Sequence, residues 1–134
     1  MEIERSIDIE DEVRAALDDY VNAYCRPLPE DFALPCVLVT QVGGTNENKI
    51  DTFEVMLDCR AKIEADALEL LRNSIGILKK VAGEQSTAIR YVTVNSSGSW
   101  GNDPVRPELS LCTARLRIVA HIEKATIQEK SQED

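Results

Sequence analysis

The chain has little of what enzymes depend on. It contains one histidine, His121, and its four cysteines (Cys25, Cys36, Cys59, Cys112) are widely spaced with no C-x-x-C pair. A zinc site needs clustered ligands at short spacings, so none is expected, and the thiols read as small hydrophobes in a reducing compartment. His121 has no nucleophile or carboxylate at a telling spacing, which leaves it a poor general base. Asp51 and Asp58 stand seven apart on one predicted strand, hence on opposite faces, and cannot converge on a metal. The segment SSGSWG is rich in glycine, but it lacks the Lys-Ser/Thr and the following helix of a phosphate loop. The expectation is therefore no catalytic residue, no cofactor, no metal and no enzyme activity.

Long apolar runs are also missing, so no membrane span is expected. The opening MEIERSIDIEDE is acidic and has no apolar stretch of the signal-peptide kind, which predicts a chain that stays in the cytoplasm where it is made. Basic patches are missing too. Net charge is −9, and residues 1–34 hold ten acidic against three basic side chains, while residues 35–122 hold ten of each. Nucleic-acid surfaces need a basic stripe, so no nucleic-acid contact is expected. The acidic N-terminal element is either a solvated helix face or an electrostatic docking face.

What is present is strong periodicity. From Asp8 to Cys25, apolar Ile9, Val13, Leu17, Tyr20, Val21 and Tyr24 recur every three or four residues, which predicts an amphipathic helix. Ser6 or Asp8 can cap it, and Glu10, Asp11 and Glu12 suit its dipole. A proline-punctuated connection, RPLPEDFALP, follows. Cys36–Val42 reads as a strand, Gly43–Lys49 as a turn of about seven residues, and Ile50–Arg60 as a second strand alternating Phe53, Val55, Leu57 and Cys59 against polar neighbours. Glu64–Ala82 is a second helix closed by Gly83. It carries two apolar stripes, Leu68, Leu71, Ile75, Leu78 and Ala67, Leu70, Ile77, Val81. That face is either sandwiched within the domain or shared with another subunit.

Ile89–Val94 and Leu109–Ile122 are the last two strands, the latter with Cys112, Ala114, Leu116, Ile118, Ala120 and Ile122 on one face. Between them Asn95–Glu108 reads as a long polar connection holding the only tryptophan, Trp100, which either docks on a partner or folds back over the sheet edge. The predicted fold is α+β: an antiparallel four-stranded sheet with two helices on one face, in the order α-β-β-α-β-β. Residues 1–124 are expected to form one domain and 125–134 a charged, disordered tail.

The residues LPCVLVTQVGG, then DTFEVMLDCRAKIEADALELLRNSIGIL, then LCTARLRIVAHI, resemble the tail terminator (tail completion, minor tail) proteins of long-tailed phages. The matching positions are Pro35, Val37, Val39, Gly43, Gly44, Asp51, Val55, Leu57, Asp58, Ala67 and Leu70, and the likeness runs from about Asp8 to Ile122. The resemblance implies a homohexameric ring that caps the tail tube, with the tube protein, the head–neck connector and further copies of itself as partners, and the virion tail as location. Two alternatives stand beside it: a neck or head–tail connector, and a non-phage cytosolic module binding a ligand or peptide. The interface candidates are Gly43, Gly44, Asn46 and Asn48 in the first connection, Trp100, Asn102 and Arg106 in the second, and Leu70 and Ile77 on the helix.

Overall fold

A computed structural model describes residues 1–47 and 49–131. The elements run β1 (Glu2–Arg5), α1 (Ile9–Asp18), β2 (Asn22–Cys25), β3 (Cys36–Glu47), β4 (Ile50–Ala61), α2 (Glu64–Val81), β5 (Ile89–Asn102), β6 (Ser110–His121) and β7 (Glu123–Thr126). The class is α+β, as the periodicity predicts. The sheet has five strands rather than four, in the order β2-β3-β4-β6-β5, and β1 and β7 form a separate two-stranded ribbon. The order α-β-β-α-β-β is thus incomplete, because three short strands are interleaved with it.

Helix α1 starts where the cap chemistry puts it. Asp8 accepts the N–H of Asp11 at 3.2 Å, and Ile9, Val13 and Leu17 are fully buried at four-residue spacing. The helix ends at Asp18 and not near Cys25. Tyr20 N–H and Val21 N–H both converge on the Leu17 carbonyl at 3.0 Å, which closes the last turn, and Tyr20 is left 71% exposed. The chain then runs as β2 parallel to β3, from Asn22 opposite Cys36 to Cys25 opposite Val39. Two of the acidic side chains in α1 face inward. Glu10 accepts the Gln41 N–H at 2.9 Å, and Glu12 accepts the Thr87 hydroxyl at 2.8 Å and the Ala88 N–H at 2.9 Å. The helix is thereby fastened to β3 on one side and to the α2–β5 turn on the other.

The core lies between this helical layer and one face of the sheet. On β4 the buried set is Asp51, Phe53, Val55, Leu57, Cys59 and Ala61, and on β6 it is Cys112, Ala114, Leu116, Ile118 and Ala120. Val55 lies opposite Leu116 and Phe53 opposite Ile118, so the two alternations are in register. Each fully buried aliphatic side chain contributes roughly 1.5–3 kcal/mol, and this layer is what drives the fold. In α2, Ala67, Leu70, Leu71 and Leu78 are buried while Leu68, Ile75 and Ile77 are partly covered. The domain itself therefore covers most of both stripes. Gly83 closes the helix with φ +88°, its N–H donating to the Ile89 carbonyl at 2.9 Å.

The tail is shorter than expected, since Ala125 and Thr126 pair with Ile3 and Glu2 in the ribbon. Residues 132–134 lie outside the described residues.

Candidate interaction surfaces

The segment expected to be a seven-residue turn is mostly strand. β3 and β4 pair through Glu47 and Ile50, which leaves two residues between them, with Lys49 at φ +68°. Asn48 lies outside the described residues. The pairing continues through the glycines because a bulge at Gln41–Gly43 shifts the register. At Gly44 a Cβ would stand 2.7 Å from the Thr52 carbonyl oxygen, so this glycine serves close approach of two backbones. Asn46, itself exposed, lies opposite Asp51 and donates to its carboxylate, which is buried (1% exposed) and whose second oxygen has no partner among the described residues.

The second expected connection is also mostly strand. β5 runs through Ser-Gly-rich residues to Asn102, with irregularities between Ile89 and Tyr91 and between Val94 and Ser99. Edge strands are commonly bulged in this way, which blunts their pairing with other chains. Trp100 lies opposite Cys112, so it stands on the helix side of the sheet, 44% exposed, and Asn102 lies opposite Ser110. Only residues 103–109 turn. That turn is tied down by Arg60, whose Nε donates to Asp103 at 2.8 Å with both side chains nearly enclosed, 11% and 6% exposed. Burial raises the Asp103 pKa, but the Val105 N–H and the Arg60 guanidinium outweigh it and hold the carboxyl below its ordinary value. Arg106 lies over the Phe32 ring at 5.3 Å and pairs with Glu108 at 3.0 Å.

The predicted contact residues therefore do not form one surface. Gly43, Gly44 and Asn46 sit at one end of the sheet, and Trp100, Asn102 and Arg106 at the other. Leu70 and Ile77 line shallow hollows on the helix side, Leu70 only 6% exposed. Two features escaped the sequence reading: Val105 is 86% exposed, and Tyr91 is 71% exposed on an edge strand. Both helices lie on one face of the sheet, as expected, and among the described residues no helix covers the other face. On that face Arg115 and Arg117 of β6 are exposed, with no ion-pair partner among the described residues. The signal available for Val105 was its place in Pro104–Pro107, a turn that no core could use.

Chemistry at the thiols is suppressed. Cys59 and Cys112 lie opposite one another and are fully buried; burial pushes both thiols up, and Cys36 is pushed up to about 11. Thiols held protonated are poor nucleophiles at neutral pH. Among the described residues no group of three or more His, Cys, Asp or Glu is placed to hold a metal ion, and no helix is long and apolar enough to cross a membrane. A scan against protein-family models finds no matching family, and a search of the curated proteins finds no match, so a reading of function starts from these surfaces.

Proposed function

We propose that the chain is a structural subunit of long-tailed phage or prophage virions. In this reading it is a tail terminator, made in the host cytoplasm, that closes a homohexameric ring on the tail tube, stops tube polymerisation and offers a surface to the head–neck connector. The observation that carries the reading is the one-sided sheet. Helices cover one face, and the other presents exposed Glu54, Arg115 and Arg117 beside half-buried Leu38, Met56 and Val119. Mixed polar and apolar surface of this kind suits protein contacts, which combine apolar anchors with a charged rim. Of the positions that carry the resemblance, Val37 and Val39 lie on β3, Val55 and Leu57 on β4 and Ala67 and Leu70 on α2, while Gly43 and Gly44 lie within paired β3 rather than in a turn. The test is native mass spectrometry and electron microscopy of the chain mixed with the tail-tube protein of the same genome. A ring of six copies at the tube end and shortened tubes are expected. Persistent monomer with tubes of unchanged length refutes the reading.

A second reading has its own observation. β2 pairs only with Cys36–Val39, so the outer edge of β3 from Val42 to Glu47 has no neighbouring strand among the described residues. An extended peptide could add there as a further strand, which would make the chain a peptide-binding module.

A further inference from the structure

Cys59 and Cys112 are direct cross-strand partners. Cys59 of β4 lies opposite Cys112 of β6, and both are fully buried on the helix side of the sheet. Residues directly opposite on antiparallel strands stand about 4.5 or 5.5 Å apart between Cα atoms, according to the type of pair. Either spacing falls inside the ~4.4–6.8 Å that a disulfide bridges. The thiols also lie within electrostatic reach of each other: burial pushes the Cys59 thiol up, and the Cys112 sulfur adds to it.

The other two cysteines are placed elsewhere. Val37 lies opposite Cys59 and Cys36 opposite Arg60, so Cys36 belongs to the other face of the sheet. Cys25 is on β2, which β3 separates from β4. Access to the pair runs past the sheet edge. On its far side from Cys59, Cys112 faces Trp100 of β5, 44% exposed, so Trp100 shields the thiol laterally. β5 has no strand beyond it among the described residues, and its pairing with β6 is irregular between Val94 and Ser99. An edge segment with interrupted pairing opens more readily than the sheet interior. Release of Trp100 uncovers Cys112 first and Cys59 behind it.

We propose that Cys59 and Cys112 form a redox site, a dithiol that closes to a cross-strand disulfide on meeting a low-molecular-weight disulfide such as glutathione disulfide. In the opened state the Cys112 thiolate attacks one sulfur of glutathione disulfide and expels a glutathione thiolate, which takes up the proton that Cys112 lost. The Cys59 thiolate then attacks the Cys112 sulfur of the mixed disulfide and expels the second glutathione, which takes up the Cys59 proton. The protein gives up two electrons and two protons, and glutathione disulfide leaves as two thiols. In a reducing compartment the pair stays open, and in oxidising surroundings it ties β4 to β6. The site is independent of the terminator reading.

The experiment incubates the folded full chain with glutathione disulfide and follows intact mass, peptide maps and Trp100 fluorescence. The chain should lose the mass of two hydrogen atoms and retain no glutathione. Fragments holding Cys59 and Cys112 should be joined, and Trp100 emission should fall, because a disulfide beside an indole quenches it. Cys25→Ala/Cys36→Ala should oxidise as the parent does. Trp100→Ala should give the same linkage at least ~5-fold faster, since the cover is gone. Linkage through Cys25 or Cys36, linkage that appears only in urea, or thiols that stay free while an unfolded control is oxidised overturns the proposal. A rate in Trp100→Ala equal to the parent's overturns the route past β5.

Discussion

Replacing Asp103 by Asn tests whether the turn after β5 is held by a buried charge pair. The carboxylate accepts from Arg60 Nε at 2.8 Å and from the Val105 N–H at 3.0 Å, and the two charged side chains are only 11% and 6% exposed. Arg60 Nη1 already lacks an acceptor among the described residues, so neutralising Asp103 leaves an enclosed guanidinium with no opposite charge. Removing one partner of a buried pair costs ~3–5 kcal/mol. Asn retains an acceptor for the Val105 N–H, and the site lies at the end of the sheet, so about 2–4 kcal/mol is the expected loss. Replacing both partners, Arg60→Met with Asp103→Asn, strands no charge and should lose less than the two single losses added together, by ~1 kcal/mol or more. Urea unfolding followed by Trp100 fluorescence and by far-ultraviolet circular dichroism measures all three variants. A loss below ~0.5 kcal/mol for Asp103→Asn, or strict additivity in the cycle, would show that water solvates the pair and that the turn is not held by it.

Leu57→Ala, at a fully buried position on β4 between Val39 and Ala114, should lower stability by ~2–5 kcal/mol in the same unfolding assay. Gly44→Ala puts a methyl group 2.7 Å from the Thr52 carbonyl oxygen and should cost ~1–3 kcal/mol, whereas at Gly43 the new methyl meets only Glu54 side-chain atoms, at 3.8 Å and beyond, and should be far milder. Glu10 and Asp103 are both held below their ordinary values of 4.5 and 3.8; burial pushes each up, but Arg26 and the Gln41 N–H outweigh it at Glu10, and the Val105 N–H and Arg60 at Asp103. A lowered folded-state pKa adds stability that is complete above the unfolded value and lost as pH falls through the folded one, so unfolding free energy should drop below about pH 4 and drop less steeply in Glu10→Gln.

The elements that were legible in the sequence are those where one face alone is buried. Phe53, Val55, Leu57 and Cys59 of β4 and Cys112 to Ala120 of β6 alternate because helices cover one side and solvent the other, and that contrast is written into each residue choice. The Glu64–Val81 helix was readable for the same reason. The end of α1 was not, because Tyr20, Val21 and Tyr24 continue a helical spacing although the chain has already turned into a four-residue strand. Ser96 to Asn102 has the composition of a loop, yet β6 beside it presents an unbroken row of backbone groups, and pairing with that row overrides local preference. The ribbon of β1 and β7 joins segments from opposite ends of the chain, a contact to which no local pattern points. Of the candidate surfaces, Trp100 and Arg106 were visible as residue types out of place in a core, but their fixed setting depends on Cys112 and Phe32, which are distant in sequence.

The position of β6 has a consequence for how the chain is made. Of the five strands of this sheet it is the last in chain order, yet it lies in the interior, pairing Ile50 with His121 and Ala61 with Ser110 on one side and β5 on the other. Until it emerges, β3 and β4 form a hairpin whose inner edge is bare, and β5 has nothing to pair with. Contacts this far apart in sequence must close large loops before they are rewarded, which slows folding and leaves sticky edges exposed meanwhile. Nascent chains halted before Ser110 should therefore bind holding chaperones, and release from them should coincide with the arrival of the Leu116–Ala120 segment outside the exit tunnel.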